Sequence, residues 1–450
     1  LLHLLYLDDQ VKRVPGIELN DRNEPIRCNR CGCQDKIKFK ESSCFRCEER
    51  CFVCDHCLIM GRSKTCTPLF HFTSALTPVE GEMAIALSHP DVVPMKWTGQ
   101  YTPAQQAGAD ACLDFIRHSE QREMLVWAVC GAGKTEIVFP AIKSVLQKGK
   151  RVLIATPRKD VVLELSPRIK QAFPSISIVT LHGDSVEKKN DGQLFVSTTH
   201  QVLRFYEMFD LIIIDEIDAF PFSADVMLHY AVRRALKQNG KWMYLSATPP
   251  RELQQRAQRG DVDHVIIPAR HHRCPLPVPV YCQITELIKK IRAREPIPLL
   301  SEKIQQAVDS DRQLFLFVPR VEDVALVTQW VLTYHPYGVV AGTHAHDSER
   351  TDKVKLLREG KINIFITTTI LERGVTVPRT DCLIFSSHHP IFNETSLVQM
   401  AGRVGRSSDF PDGNVWFVAE ERTLAQKRAI EQIKRMNLIA KRDGFIEERR

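Results

Sequence analysis

Long apolar runs are missing from this 450-residue sequence, since none approaches the about 20 residues that a membrane-spanning helix needs. The opening stretch LLHLLYL is short and is followed at once by Asp8 and Asp9, so we do not expect it to be a signal peptide. A large excess of one charge is missing too, because 61 basic and 54 acidic side chains leave a net charge of +7. This mildly basic balance is compatible with a polyanionic partner but does not require one.

A tract of interleaved aromatic residues is missing as well, so recognition of a nucleic acid by base stacking is not indicated. Hydrophobic residues at 44% and charged residues at 26% are typical of a soluble globular protein. The length suffices for roughly two to four domains with large cores.

The stretch MLVWAVCGAGKT predicts a phosphate-binding loop. Met124 to Val129 is a short apolar run, typical of a buried strand, and Cys130 to Gly133 forms a glycine-rich turn. Lys134 and Thr135 follow, and the apolar spacing over Glu136 to Gln147 predicts a helix. The order of strand, glycine turn, Lys-Thr and helix is that of a P-loop.

In such a loop the residues have separate tasks. The backbone N–H groups of Gly131, Ala132 and Gly133 would point at phosphate oxygens. Lys134 would reach the β- and γ-phosphates, and Thr135 would be a ligand of Mg²⁺. The sequence therefore predicts an ATP site.

Apolar strands alternate with helices on both sides of a stretch rich in proline and basic residues, 250–300, which predicts two parallel sheets covered on both faces. Polar residues follow the ends of these strands, where ligands bind in sheets of this kind. The predicted strands are 151–155, 176–181, 194–198, 211–214 and 241–245, then 314–318, 362–367 and 382–386, with a helix over 347–358.

Asp215 and Glu216 end one of these strands and are predicted to be the second half of the nucleotide site. Asp215 would hold Mg²⁺ through water, and Glu216 would polarise the attacking water. Farther along, Gln399, Arg403 and Arg406 lie in QMAGRVGR, and two arginines three apart on a helix could both face a γ-phosphate. The second half of the chain has no P-loop of its own.

Nine of the 14 cysteines fall within 39 consecutive residues. A chain that binds ATP works in a reducing compartment, where metal ligation explains such a cluster better than disulfides do. Cys28 and Cys31 have the CxxCG spacing of a zinc knuckle, and a second CxxC must complete the tetrahedron. Cys54 and Cys57 are the first choice for that second pair.

Other cysteines leave alternatives open. Cys44 and Cys47 could replace the second pair, and Cys51 could also contribute a ligand. Cys33, Cys44, Cys47 and Cys51 would together suffice for a second metal. One Zn²⁺ is the first interpretation, and two is the alternative.

Taken together, the motifs resemble those of a superfamily-two helicase motor. GAGKT, TPR, TTHQ, DEID, SAT, TTTILERGV and QMAGRVGR follow one another in the family's order over residues 97–420, although Ala128 stands where the family's first loop glycine is common. A narrower resemblance is to the ComFA family of late-competence DNA-uptake helicases of Gram-positive bacteria. It rests on an N-terminal CxxCG and CxxC-x-x-MGR module followed by WTGQYTPAQ, VCGAGKTE and TTHQVLRFYEMFDLIIIDEIDAFPF.

This resemblance implies an α/β fold with two RecA-like lobes behind an N-terminal zinc-binding module. Gln105 would correspond to the glutamine that reads adenine in many helicases, with a surface glutamine as the alternative. ATP would bind in the cleft of the motor. The expected segments are an N-terminal segment 1–24, a zinc module 25–67, a connector 68–96, a first lobe 97–265, a linker 266–300 and a second lobe 301–450.

The expected function is ATP-driven translocation on single-stranded DNA during uptake of transforming DNA. The resemblance implies a peripheral position at the inner face of the cell membrane, with a DNA channel and other competence proteins as partners and a homo-oligomer as one possible assembly. The alternatives are an RNA helicase, a repair or replication-restart motor, and a zinc-dependent adaptor with a switch-only nucleotide site. Residues implied to contact the strand are Arg158, Thr199, His200, Gln201, Arg320 and Thr368.

Overall fold

The computed structural model describes residues 6–7, 11–45, 47–72, 95–187, 190–336, 338–373, 375 and 377–447. The opening leucines, most of the predicted connector 68–96 and Gly374 of the TTTILERGV stretch lie outside the described residues. The chain divides into two compact units. The first unit contains residues 1–99, 109–126 and 135–265, and the second contains 100–108, 127–134 and 266–450.

The cysteine-rich part of the first unit consists of short antiparallel pairs. β1 pairs with β6, β2 with β3, and β4 with β5. The first of these pairings places a strand that precedes the cysteines beside one that follows them. The strands are β1 (Val11–Pro15), β2 (Ile17–Leu19), β3 (Pro25–Cys28), β4 (Phe39–Ser43), β5 (Arg50–Cys54) and β6 (Pro68–Phe72).

A sheet of seven strands within the described residues follows. Its strands are β7 (Glu123–Ala128), β8 (Val152–Thr156), β9 (Ile178–Leu181), β10 (Leu194–Thr198), β11 (Phe209–Asp215), β12 (Leu236–Ser246) and β13 (Asp263–Ile267). Their order is β13-β7-β12-β11-β8-β10-β9. β8 to β12 pair in parallel, with Thr156 opposite Thr198 and Asp215 opposite Leu245. The carboxyl ends of these strands therefore meet at one edge.

The sheet of the second unit is also parallel. Its order is β14-β19-β18-β15-β17-β16, and every pair is parallel. The strands are β14 (Val280–Gln283), β15 (Gln313–Phe317), β16 (Val340–Thr343), β17 (Ile364–Thr367), β18 (Thr380–Ile384) and β19 (Val415–Ala419). The two parallel sheets confirm the predicted fold class.

Helices accompany both sheets. In chain order they are Pro103–Arg117, Lys134–Ile137, Phe139–Leu146, Lys159–Ala172, Val226–Ala235, Arg251–Arg259, Leu287–Ala293, Pro298–Asp309, Val321–Tyr334, Arg350–Arg358, Glu394–Ala401 and Leu424–Arg442. The short 3₁₀ helices are Lys36–Lys38, Leu58–Met60, Thr199–Arg204, Phe222–Ala224 and Thr369–Leu371.

The helix predicted over 136–147 is interrupted. It is divided at Val138, because Pro140 has no N–H group to donate to the Glu136 carbonyl and its ring disfavours a continuous turn there. Among the described helices, none is both long enough and apolar enough for a membrane span.

The core of the second unit begins before β15. Ile284, Leu287, Ile291 and Ile297 are buried with Trp330 in one apolar cluster. The segment predicted as a linker, 266–300, thus supplies a strand and a helix to this unit.

Candidate functional site

The turn after β7 has the backbone conformation of a phosphate cradle. Gly131 and Gly133 have φ angles of +84° and +78°, a left-handed region that side chains with a Cβ rarely adopt. The N–H of Ala132 donates to the Val129 carbonyl at 3.1 Å and closes the turn. Lys134 begins the helix that follows. Strand, turn and helix are arranged as predicted.

Gln105 is hydrogen-bonded to the backbone of this turn. Its side-chain Nε2 donates to the Ala132 carbonyl at 2.9 Å, and the residue is only 7% exposed. Its Oε1 accepts the Thr102 N–H at 2.9 Å, while the Thr102 hydroxyl accepts the Gln105 N–H at 3.4 Å. These reciprocal bonds fix the start of the helix Pro103–Arg117 and aim Gln105 at the loop backbone.

Arg270 is a functional candidate that the sequence analysis missed. It is 1% exposed and donates to the carbonyls of Cys130 at 3.2 Å, Val404 at 2.7 Å and Gly402 at 3.3 Å, and also to that of Gly405. Burial, together with the nearby Arg406, lowers its pKa to about 10. One planar guanidinium thus joins the P-loop turn to the QMAGRVGR segment within the second unit.

The signal for Arg270 was present in the sequence but weak. PARHHRC looked like one more basic stretch near the boundary of the lobes. The residue type alone does not show whether an arginine is buried or exposed, because burial depends on tertiary packing.

Gln399 also contacts the P-loop turn. Its Oε1 accepts the Cys130 thiol at 3.2 Å, and both side chains are at most 5% exposed. Gly402 approaches the same cysteine so closely that an added Cβ would lie 2.6 Å from the Cys130 Cβ. A glycine is therefore required at this position.

The two arginines of QMAGRVGR are not on a helix, and that part of the prediction is wrong. The helix Glu394–Ala401 ends before them, and Gly405 has a φ angle of +67°, which helical backbone does not allow. Arg403 is 2% exposed, donates to the Val375 carbonyl and lies over the Phe315 ring at 5.8 Å.

Arg406 has a different environment. It is partly exposed, and its Nε donates to the Gly402 carbonyl at 2.9 Å. Of the two arginines, Arg406 is the one able to reach a ligand, whereas Arg403 packs inside the unit.

Asp215 and Glu216 lie at the end of β11, as predicted. Asp215 is 7% exposed and accepts the Glu216 N–H at 3.0 Å on its Oδ1. Glu216 has a φ angle of +58°, an unfavourable conformation for a residue with a Cβ. Strain of this kind is common at functional sites, where it fixes the direction of a side chain.

Asp218 connects this carboxylate pair to the SAT segment. It accepts the hydroxyls of Ser246 at 2.6 Å and Thr248 at 2.7 Å, and Ser246 in turn accepts the Thr248 N–H at 2.9 Å. Because β11 and β12 are also adjacent in the sheet, these hydrogen bonds join the loop after β11 to the end of β12.

The four cysteines predicted as metal ligands converge. The sulfur atoms of Cys28, Cys31, Cys54 and Cys57 all lie within 4.8 Å of one another, and each residue is at most 2% exposed. Hydrogen bonds from Cys31, Cys54 and Cys57 hold the pKa of the Cys28 thiol far below its ordinary value. Four buried sulfurs at this spacing fit a structural zinc site.

Arg30 completes the surroundings of these thiols. Its Nη2 lies 2.9 Å and its Nε 3.3 Å from the Cys57 sulfur, and it also donates to the carbonyls of Cys57, Met60 and Gly61. A cation at this distance favours the thiolate, which is the form that binds metal.

A second group of thiols contains Cys44, Cys47, Cys51 and Cys66. Cys66 takes the place that the sequence predicts for Cys33 in this set, so that part of the prediction is wrong. Cys33 is buried near Cys28 but belongs to neither group.

The cysteine-rich module packs on the helix Val226–Ala235 of the same unit. Arg27 donates to the Tyr230 hydroxyl at 3.1 Å and lies over its ring at 5.3 Å. Arg234 donates to the Asn29 carbonyl at 2.7 Å. Gly32 is so close to Tyr230 that an added Cβ would lie 2.6 Å from the ring. The knuckle glycine is therefore needed for docking as well as for the turn.

A cavity of about 260 Å³ lies beside this contact. His71 stacks on Tyr206 in its wall, with ring centroids 3.7 Å apart and planes 10° apart. Burial, reinforced by the charge of Arg234, lowers the pKa of His71 to about 4. The full lining is Arg30, Met60, Leu69, Phe70, His71, Leu203, Arg204, Tyr206 and Arg234.

The residues implied to contact a nucleic acid are placed as follows. Thr199 and Gln201 are buried in the 3₁₀ helix after β10, where Gln201 Nε2 lies 3.8 Å from the Met60 sulfur of the cysteine-rich module. Arg158 pairs with Asp160 at 2.8 Å. In the same set, His200 is half-buried, Thr368 is buried and Arg320 is exposed.

Family models cover most of the chain. The description "Competence protein ComFA N-terminal domain" matches residues 2–71, "Type III restriction enzyme, res subunit" matches 98–251, and "Helicase conserved C-terminal domain" matches 297–408. The helicase models imply ATP hydrolysis that depends on nucleic acid.

Solved structures share the fold. Saccharomyces cerevisiae Dbp5 bound to RNA and ADP BeF₃ superposes with a TM-score of 0.54 at 17% identity, covering 78% of this chain and 89% of that one. Mycobacterium smegmatis Lhr bound to single-stranded DNA and AMP-PNP gives 0.52 at 19% identity, covering 78% and 49%.

Two curated relatives are much closer in sequence. Competence protein ComFA of Bacillus subtilis is 41% identical over 427 residues, which cover 94% of this chain and 88% of that protein. ComFA of Streptococcus pneumoniae is 34% identical over 386 residues, covering 86% of each. With the cysteine module, the P-loop and the arginine segment in their family order, this chain belongs to the ComFA family of competence-associated helicases.

Proposed function

We propose that this protein is an ATP-driven translocase on single-stranded DNA that serves the uptake of transforming DNA. The observation that carries the proposal is the joint presence of a cysteine-rich module and a complete set of motor residues in a chain 41% identical to a competence protein. Uptake requires a motor at the membrane, so we propose a peripheral position at its inner face. A DNA channel and other competence proteins are the partners expected there.

Each residue of the nucleotide site has a proposed task. Backbone N–H groups of Gly131, Ala132 and Gly133 hold phosphate oxygens, and Lys134 neutralises the charge on the β- and γ-phosphates. Gln105 holds the loop at the Ala132 carbonyl, and by resemblance to other helicases it is also the proposed reader of adenine.

The hydrolytic step depends on other residues. Thr135 and Asp215 are the proposed ligands of Mg²⁺, which supplies charge neutralisation when bound. Glu216 orients the attacking water, and its backbone conformation sets the direction in which its side chain leaves the chain. Arg406 stabilises the charge of the transition state.

Two buried residues position rather than contact the nucleotide. Gln399 holds Cys130 of the P-loop turn, and Arg403 fixes the segment around Val375. Asp218 accepts the hydroxyls of Ser246 and Thr248 and so connects the loop that carries the carboxylate pair to the end of β12.

Cys28, Cys31, Cys54 and Cys57 are the proposed ligands of one structural Zn²⁺. All four positions of a tetrahedral site would be filled by protein sulfurs, so the ion holds the module together and has no catalytic task. Cys54→Ser is expected to remove one equivalent of zinc.

The experiment that tests the proposed function is an ATPase assay with single-stranded DNA and with RNA of the same sequence, using Lys134→Ala as the inactive control. DNA should stimulate turnover more than RNA. Stimulation by RNA alone would instead favour an RNA helicase. A protein without any nucleic-acid stimulation would fit the adaptor with a switch-only nucleotide site.

Translocation needs a separate measurement, which is the displacement of streptavidin from the biotinylated end of a DNA strand. Its rate should depend on ATP. The affinity for DNA should fall as salt is added. A plot of the logarithm of the binding constant against the logarithm of the salt concentration should have a slope of about −0.7 per phosphate contact. The affinity should change little with base sequence. Strong sequence preference or affinity that is independent of salt would contradict a motor that grips the backbone.

A further inference from the structure

We propose that Cys44, Cys47, Cys51 and Cys66 bind a second zinc ion, separate from the one assigned to the CxxC pairs. The four sulfur atoms lie within 4.8 Å of one another. Cys44 and Cys66 are 3.5 Å apart at sulfur, and Cys47 and Cys51 are 3.1 Å apart. Zinc–sulfur bonds of about 2.3 Å place tetrahedral sulfurs about 3.8 Å apart, so small side-chain movements suffice.

The two sites have to be distinct because β5 carries one ligand for each. Cys51 and Cys54 are three residues apart on this strand, and successive side chains of a strand point to opposite faces. Cys54 faces the first group, and Cys51 consequently points away from it. This geometry excludes Cys51 as a ligand of the first zinc.

The composition of the module's interior supports metal at both groups. Among its described residues 11–72, the buried apolar side chains other than cysteine are Val11, Ile17, Pro25, Phe39 and Val53. Seven cysteines are buried beside them. Five apolar side chains are too few to stabilise a module of this length by themselves, which favours a contribution from metal–thiolate bonds.

A second zinc would fix a part of the module that the first does not reach. Cys44 and Cys47 belong to the turn of the β4–β5 hairpin, and Cys66 lies just before β6. The same β6 carries His71, which stacks on Tyr206. The ion would therefore join the turn of the β4–β5 hairpin to β6, the strand whose His71 contacts Tyr206.

Disulfides are the main rival explanation for the second group. The two short sulfur–sulfur distances, 3.5 Å and 3.1 Å, both exceed the about 2.05 Å of a disulfide bond.

The test is elemental analysis of the full-length protein purified with a reductant and without chelators, then passed over a gel-filtration column. We expect two equivalents of zinc in the wild type and one in Cys51→Ser. Cys33→Ser is the matched control, since it removes a buried cysteine of the same module that belongs to neither group, and it should retain two. One equivalent in both the wild type and Cys51→Ser would overturn the proposal.

A second measurement does not depend on the folding of any variant. Titration of the wild type with a mercurial reagent in the presence of a zinc indicator should release two equivalents. Release of only one, or mass-spectrometric detection of Cys44–Cys66 or Cys47–Cys51 disulfides in the reduced preparation, would also refute a second site. Neither measurement uses ATP or DNA, so its result is independent of the proposed motor activity.

Discussion

Replacing Arg270 by lysine should impair ATP turnover although the positive charge is kept. The arginine donates to four buried carbonyls, those of Cys130, Gly402, Val404 and Gly405. A lysine ammonium is a single point charge on a flexible stem and cannot span this set. At least two carbonyls would therefore lose their donor.

The size of the effect follows from these bonds. Each lost hydrogen bond costs about 1 kcal/mol, so two or three cost about 2–3 kcal/mol. If that loss is expressed in the transition state through the P-loop turn and Arg406, turnover falls about 30- to 150-fold. If it is expressed in the folded state, the melting temperature falls by several degrees.

The assay compares kcat, KM for ATP and thermal unfolding of Arg270→Lys with those of Arg273→Lys. Arg273 is the matched control, because it is in the same stretch but is partly exposed and forms an ion pair at 2.5 Å with the exposed Glu447. The control should change little, as exposed ion pairs contribute about 0–1 kcal/mol. Wild-type kcat together with a wild-type melting temperature in Arg270→Lys would refute the role assigned to the buried guanidinium.

Three further predictions concern other residues. Glu216→Gln should bind ATP but hydrolyse it very slowly, which nucleotide-binding and single-turnover assays can separate; normal turnover would show that another group orients the water. Arg406→Ala should lower kcat by about 10³-fold or more with a much smaller change in ATP affinity, whereas loss of binding at normal kcat would indicate a ground-state role. His71 has a pKa lowered to about 4 in the fold against about 6.5 in an unfolded chain. Its contribution to stability is complete above pH 6.5 and declines as pH falls through that window, because the unfolded state then binds the extra proton. His71→Phe keeps the stacking on Tyr206, and its melting temperature should depend less on pH between about pH 4.5 and 7 than that of the wild type. The same pH dependence in both proteins would contradict a neutral buried His71.

In the cysteine module, local spacing was enough to predict the first group of thiols but not the second. The CxxC spacing of Cys28, Cys31, Cys54 and Cys57 indicated the first group correctly, because a CxxC pair brings two thiols together through local backbone alone. Cys66 was not assigned to the second group. Its approach to Cys44 depends on the path of the chain between β5 and β6, which no local spacing encodes.

The arginine segment shows the same limit in the motor. The pattern QMAGRVGR identified Gln399, Arg403 and Arg406, but it placed the arginines on a helix that ends at Ala401. Which of them is buried was undetermined, since burial of Arg403 depends on Phe315, far away in sequence.

The sequence by itself determined the two parallel sheets, the P-loop and the carboxylate pair at the end of β11. These features depend on neighbouring residues, on apolar runs and on glycines with a required backbone conformation, so they are readable locally. The tertiary structure alone decided that Arg270 is buried against four carbonyls and that Asp218 bonds to Ser246 and Thr248. It also decided which four thiols form the second group. These contacts join residues distant in the chain, and their energies arise from burial and geometry that exist only after the elements have packed.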